Sequence, residues 1–498
     1  MTLATYSRRF AGLSRLNIGN GRFQDYLKIL LIGSGARLAG LGSQFFVLLI
    51  LSHVLPKTSF GDLMTAFGFY RLASLALGVG GSLVLLFHIS RRPDDKHSEI
   101  RLHRYAALLG AAASAIVATS GLLMAGQIAA VLGKPGLEIW FQQLAPFAVF
   151  STLLTISSGA LEGRSRVSES IMLCEVAPNL VRVAMLPLIE WLHLPDIYVA
   201  HVLTLSVVIP WLWPALRLRD STVSGLKRWT AWDHSYCAKS IVAMLFANQL
   251  GAVDILVAGS LFPSDIVADY AVASRLAGLF TFLQLAVLKR FAPQAGRLIE
   301  TGEFGGLRRE VELCRQIMIA LAAFSICGLL LTAPLVLPLF GNYTSAQSLL
   351  AWLAIPAFVG AFYAASDRLL TIAGQASITL LFNGLSFLVL VTMPFAAAPF
   401  VGVISIPAAM ILSALTFNLI IAARTRAMFA IRTIGWRDAV LIAVGTVALA
   451  DYAIAKSPFA EAMTCGILAC IGLYFAASAM GWRWSGLAHI YESRIEVR

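Results

Sequence analysis

Four arginines, Arg37, Arg71, Arg182 and Arg275, each stand about ten or more residues inside a long apolar stretch. A guanidinium is permanently charged, and its planar fork donates two parallel hydrogen bonds to phosphate or carboxylate oxygens. At the centre of a bilayer it costs about 2.5–3.5 kcal/mol on the mildest insertion scale. A chain that accepts this cost four times is expected to enclose a polar cavity that holds an anion. The neighbouring residues fit that expectation. Gly33, Arg37, Gly40 and Gln44 follow one another at helical spacing and share one stripe, and Ala36 with Gly40 allows another helix to come close. Glu175, Asn179 and Arg182 form a second stripe beside Pro178, which frees a backbone carbonyl. Asn248, Gln249 and Asp254 follow in a later apolar run. The expected substrate contacts are Arg37, Arg71 and Arg275, with Arg182 added. Gln44, Asn179, Asn248 and Gln249 are the expected polar lining. Glu175 and Asp254 serve either ion coupling or charge balance. Mutual neutralisation, such as Arg182 with Glu175, is the competing account. It leaves a surplus of buried positive charge even when Asp269, near the outer face, is counted.

The elements that must position these residues follow from composition. The chain has 498 residues, 58% hydrophobic and 13% charged, with a mean hydropathy of +0.79. Soluble domains carry about 25% charged residues, so this is a polytopic membrane protein. Apolar runs of about 20 residues predict an all-α fold of 14 spans. Charge placement predicts the orientation. Of the 38 Lys and Arg residues, 29 fall in alternate connections and tails, and three (Lys57, Lys134 and Lys456) fall in the others. Positive residues mark cytoplasmic loops, so both termini are expected inside the cell. At the calculated rise of 1.5 Å per residue, Arg37, Arg71 and Arg275 then reach the same depth. The net charge of +12 accordingly reports topology and not nucleic-acid binding. No cleavable signal peptide is evident, and the first span is expected to act as an anchor. The six cysteines lie in or beside apolar spans without C-x-x-C spacing, which predicts neither a disulfide frame nor a metal site.

An internal repeat organises the spans. Pro56 and the Arg71-Leu72-Ala73 run match Pro263 and Arg275-Leu276-Ala277, and Leu144-Ala145-Pro146 answers Leu353-Ala354-Ile355-Pro356. The offsets are 207 and 204 residues, and 208 for the turns at Gly133 and Gly341 that precede the last pair. Six spans separate equivalent positions, which predicts two pseudo-symmetric six-helix bundles with a site between them. The expected divisions are a cytoplasmic segment 1–25, a first bundle 26–217 and a linker 218–235. A second bundle at 236–426 and two further helices with a tail at 427–498 complete the chain. Trp229 and Trp232 in the linker are expected to anchor it at the membrane interface. Signatures of soluble catalysis are absent: there is no H-E-x-x-H, no G-x-x-x-x-G-K-[ST] and no G-x-S-x-G. The expectation is a transporter without cofactor or metal, and no enzyme.

The stretch from Asp254 to Gly374 adds a resemblance. Val267-Ala268-Asp269-Tyr270, Pro293 with Arg297, Phe340-Gly341-Asn342-Tyr343 and Gly374-Gln375-Ala376 resemble the polysaccharide-biosynthesis flippases of the MOP superfamily. These are the Wzx-type O-antigen and exopolysaccharide translocases, similar to lipid II flippases, and the likeness spans about residues 20–430. It implies a V-shaped pair of bundles in the bacterial inner membrane that alternates between inward- and outward-open states. The implied substrate is an undecaprenyl-pyrophosphate-linked oligosaccharide, moved from the cytoplasmic to the periplasmic leaflet within membrane lipid. Polysaccharide polymerases and glycosyltransferases are the implied protein partners. Cavity arginines on helices 1, 2 and 8 of the lipid II relatives correspond to Arg37, Arg71 and Arg275, while Arg182 has no counterpart there. The alternatives are a MATE-like multidrug cation antiporter, a multispan glycan polymerase or ligase, and a non-transporting scaffold. A net negative cavity would favour the first, and a large outer loop with paired basic residues the second.

Overall fold

The computed structural model describes residues 35–480 apart from 92–95, 165, 218–224, 248, 344, 374, 432–434 and 456. All regular elements among the described residues are helical. A backbone in hydrocarbon must satisfy its own polar groups, and a helix does so within one segment. The first repeat contains α1 (Gly35–Val54), α2 (Lys57–Arg91), α3 (Lys96–Leu132) and α4 (Pro135–Gly163). It continues with α5 (Val167–Ile171), α6 (Ala177–Trp191) and α7 (Tyr198–Arg217). The second contains α8 (Ala231–Ala247), α9 (Asp254–Leu261), α10 (Ser264–Glu300) and α11 (Phe304–Val336). Next come α12 (Ala346–Ile372), α13 (Ala376–Val401) and α14 (Ser405–Phe429), and then α15 (Trp436–Ala455) and α16 (Pro458–Ala479).

Among the described residues ten helices are long and apolar enough to cross a membrane, or eleven when one bent pair counts as a single span. The expected 14 spans divide the chain more finely. Ser377–Phe429 counts once, although the 3₁₀ turn Gly402–Ile404 separates α13 from α14. The first half of α10 carries Asp265, Asp269 and Arg275, and α10 is not among the ten. In α1 the apolar helix is Gly42–Val54.

Packing follows the repeat. In the first copy α4 lies against α2, α3 and α7; in the second, α12 lies against α10, α11 and α14. The largest fully buried side chains include Tyr70 and Phe60 on α2, Tyr270 and Phe280 on α10, and Phe358 and Phe362 on α12. α15 packs on α12 and α16 on α11, so the two extra helices belong with the second copy. Arg315 fastens them: its guanidinium pairs with Glu312 at 2.7 Å and with Asp438 at the start of α15 at 2.8 Å.

Two interruptions depart from the simple spans. Between α5 and α6 the residues Met172–Val176 form a π turn just before Pro178. Pro178 has no N–H to give to the preceding turn, and a wider turn accommodates the loss. The expected single span 237–262 is instead broken. The arms Ala231–Phe246 and Gln249–Leu261 meet at 90°, with extended backbone at Leu250 and a φ of 81° at Gly251. Glycine adopts that left-handed conformation without the penalty a side chain brings. The linker also differs from expectation. Trp229 is buried beside Val84, Leu85 and Leu102 of the first repeat, so it is a packing residue and not a lipid anchor. Next to it the His88 Nε2 lies 2.6 Å from Asp233 Oδ1, while the Thr230 amide and hydroxyl both donate to Asp233 Oδ2 at 2.8 Å. The start of α8 is therefore docked on α2.

Candidate functional site

The repeats bring together residues that stand far apart in sequence. Gln44 of α1, Arg71 of α2, Asn179 and Arg182 of α6, and Arg275 of α10 line one small cavity of about 40 Å³. Arg71 and Arg275 arrive there because both sit well inside the apolar parts of equivalent helices. The three guanidiniums are close enough to repel one another: Arg71 acts on Arg182 and on Arg275, and Arg182 acts on Arg275. None of the three has a carboxylate within 4.0 Å among the described residues.

Each guanidinium is held differently. Arg182 Nε donates to Ser206 Oγ at 2.9 Å and its Nη1 donates to Asn179 Oδ1 at 3.1 Å. Its Cζ also lies 5.7 Å from the centre of the Phe67 ring, within cation–π range. Both partners are themselves fixed. The Ser206 hydroxyl donates to the Leu203 carbonyl at 2.6 Å, and Asn179 Nδ2 donates to the Glu175 carbonyl at 2.8 Å. Arg275 rests against the break between α8 and α9, where a Cβ on Gly251 would lie 3.1 Å from its Nη1. Its Nη2 is buried without a hydrogen-bond partner. A buried donor in that state is costly, and an anion in the cavity would satisfy it.

The candidate carboxylates do not neutralise the cluster. Glu175 is exposed and forms no ion pair with Arg182 among the described residues. Glu175 lies in the π turn, and its Cβ is 3.6 Å from where a Cβ on Gly40 of α1 would stand, beside the Gly40 carbonyl to which Asn179 Nδ2 donates at 3.4 Å. Asp254 is fully buried and accepts hydrogen bonds from Ser274 Oγ at 2.6 Å and from the Tyr270 hydroxyl at 3.1 Å. It attracts Arg275 without touching it, and its Oδ1 is unpartnered. Asp269 pairs with Lys57 at 2.8 Å and so leaves the deep charge balance. Gln249 is drawn away from the cavity: its Nε2 donates to the Asn383 carbonyl at 3.2 Å and its Oε1 accepts from Ser386 Oγ at 3.0 Å, both on α13. Arg37 lies on α1, but its side chain, like all of Asn248, falls outside the described residues. Sequence reasoning did not single out Phe67, Ser206 or Ser274. Phe67 was legible, since it precedes Arg71 by one helical turn; Ser206 lies in an apolar run with nothing to mark it.

One end of the cavity is shut by contacts between the repeats. Lys57 pairs with Asp269, and Asp62 accepts from the Ser264 hydroxyl. Lys57 and Ser264 are equivalent positions 207 residues apart, as are Asp62 and Asp269. This crosswise exchange is what two copies related by a two-fold axis produce. Lys134 Nζ adds a 2.7 Å hydrogen bond to the Gly259 carbonyl, and Lys57 Nζ one of 3.1 Å to the Asn342 carbonyl. Reversing the charge at one position, Lys57→Asp or Asp269→Lys, is expected to open this end, and the double reversal to close it again. A double-mutant cycle read by cross-linking across that end should give a coupling of about 1 kcal/mol. A coupling indistinguishable from zero would show that the pair does not hold the end shut.

No family model matches the sequence, and no curated protein matches it. Solved structures share the fold. The inward-facing conformation of a multidrug-resistance MATE-family transporter of the MOP superfamily is similar with a TM-score of 0.66 at 16% identity, over 78% of this chain and 95% of that one. The lipid II flippase MurJ in an inward closed conformation gives 0.67 at 13% identity, over 91% and 98%. A MOP-superfamily transporter from Pyrococcus furiosus, whose binding pocket has reverse polarity suggesting a different function, gives 0.56 at 17% identity, over 80% and 96%. At these identities the likeness is one of architecture: the chain is a multi-pass, all-helical membrane protein with the fold of MOP-superfamily transporters.

Proposed function

We propose that the chain is a flippase for a lipid-linked oligosaccharide, carrying an undecaprenyl-pyrophosphate-bound glycan from the cytoplasmic to the periplasmic leaflet for surface polysaccharide synthesis. The observation that carries this reading is the cluster of Arg71, Arg182 and Arg275 around one cavity, without a carboxylate within 4.0 Å among the described residues. A diphosphate matches three guanidiniums in charge and in hydrogen-bond geometry, and it satisfies the unpartnered Nη2 of Arg275. In this reading 14 spans place both termini in the cytoplasm of a bacterial inner membrane, and the shut end faces the periplasm. The glycan leaves the arginines towards the cytoplasm, and rocking the repeats exposes it to the other side. No covalent bond changes, so the chain is not an enzyme. Asp254, buried beside Arg275, is the candidate for ion coupling.

A MATE-like cation antiporter shares the fold and needs the opposite charge in its cavity. Thermal unfolding of the purified protein separates the two. Inorganic pyrophosphate is expected to raise the midpoint by several degrees in a concentration-dependent way, and tetraphenylphosphonium to leave it in place. Stabilisation by the cation alone would reverse the assignment.

A further inference from the structure

The α10–α11 hairpin encloses a second cavity, at the end of α10 away from the shut end. Its volume is about 450 Å³, within the range of about 300–1,000 Å³ found for small-molecule sites. Arg290 stands 26 residues beyond Ser264 on α10, about 39 Å along the axis. A bilayer with its headgroups is about 40–45 Å thick, so Arg290 reaches the headgroups of the far leaflet. It is also about 22 Å along α10 from Arg275, which separates this cavity from the arginine cluster. The two walls differ in chemistry. From α10, Arg290, Gln294, Arg297 and Thr301 line the cavity at spacings of four, three and four, on one helix face. From the start of α11 come Glu303 and Glu310. The chain reverses between them in a tight turn, where the Glu303 amide donates to the Leu298 carbonyl at 3.0 Å and Gly302 has a φ of 71°. Arg290 Nη1 donates to Gln294 Oε1 at 2.8 Å, so the Gln294 amide nitrogen remains a donor. Gly306 makes room for Glu303, since a Cβ there would stand 2.8 Å from its Oε1. Arg297 and Glu303 are both exposed, and neither has an ion-pair partner within 4.0 Å among the described residues.

We infer that this cavity binds a phosphoethanolamine zwitterion, carried by an aminophospholipid headgroup or by its soluble glycerol ester. Two guanidiniums and two carboxylates cancel, so the lining gives a net anion little advantage. A ligand whose own charges are separated in the same way satisfies both walls. Its phosphate accepts from the guanidinium forks of Arg290 and Arg297, with Gln294 and Thr301 as further donors. Its ammonium has three N–H groups to donate, and Glu303 and Glu310 are the acceptors facing it. A choline headgroup has no N–H to give them, and a glycerol headgroup has no positive charge. Each therefore answers one wall only. The depth of Arg290 suits a headgroup still attached to its lipid. This site does not depend on what the arginine cluster carries.

Native mass spectrometry of the full chain tests this, after release from nanodiscs holding equal parts phosphatidylethanolamine, phosphatidylcholine and phosphatidylglycerol. The ethanolamine lipid is expected to be retained at least fivefold over the choline lipid. Glu303→Gln should cut retention of the ethanolamine lipid at least fivefold and raise that of the glycerol lipid, because a negative charge facing the phosphate is gone. Arg297→Gln should lower retention of both. Both positions are exposed, so neither change threatens folding. Soluble glycerophosphoethanolamine separates the two sources. Displacement of the lipid only at a hundredfold excess or more assigns the site to the lipid, and displacement at equal concentration assigns it to the soluble ester. Equal retention of the ethanolamine and choline lipids overturns the proposal. So does a Glu303→Gln protein with the native lipid preference, since the hairpin charges then serve the turn and bind nothing.

Discussion

Arg71→Gln and Arg275→Gln each weaken pyrophosphate binding by about one to two orders of magnitude, and each raises the thermal stability of the ligand-free protein. The first effect follows from charge-assisted hydrogen bonds, worth about 1.5–3 kcal/mol apiece, with about 1.4 kcal/mol per tenfold change in affinity. The second follows from repulsion. Arg71 acts unfavourably on both Arg182 and Arg275, no carboxylate lies within 4.0 Å of them among the described residues, and glutamine removes the charge while keeping a donor. Arg182→Gln should behave differently, because two of its donors already serve Asn179 and Ser206. It is expected to weaken binding less and to lower stability, since it breaks that small network. Unfolding curves of the three variants with and without pyrophosphate read both effects at once. A loss of ligand-free stability in Arg71→Gln equal to that in Arg182→Gln would mean that Arg71 is a structural residue.

Gly61→Ala is expected to hold the shut end open. An added Cβ at Gly61 would lie 1.8 Å from the Ser264 carbonyl oxygen and 2.6 Å from its carbon. The obstacle is backbone, so α2 and α10 must separate by more than 1 Å, and Lys57–Asp269 and Asp62–Ser264 lose contact together. Gly360→Ala is the control: its Cβ would meet no atom within 4 Å. Spin labels at the exposed positions Thr58 and Ser345, with the six native cysteines replaced, report the separation directly. The Gly61→Ala protein should show a longer distance and little or no substrate movement, and Gly360→Ala the native values. An unchanged distance in Gly61→Ala would mean that this close approach does not govern the gate.

The arginines were legible in the sequence because a charge inside an apolar run stands out against its immediate neighbours. Their partners were not. The spacing of Glu175, Asn179 and Arg182 does bring Asn179 onto Arg182, but Glu175 sits in the π turn at Met172–Val176, is exposed, and pairs with no arginine among the described residues. The spacing of Gln249 and Asp254 assumes an unbroken helix. The break at Leu250 and Gly251 sends Gln249 to α13 and leaves Asp254 with Tyr270 and Ser274.

Membrane insertion, helical class and the position of charge along each helix are local properties, since every segment meets the same hydrocarbon and must bond its own backbone; residue order alone dictates them. Which charges face each other is a different matter. The gathering of Gln44, Arg71, Arg182 and Arg275 around one cavity, and the crossing of Lys57 to Asp269 over 212 positions of chain, depend on how the two repeats pack. That packing is set by backbone approaches such as Gly61 on Ser264, which exist only when both copies are folded and in contact.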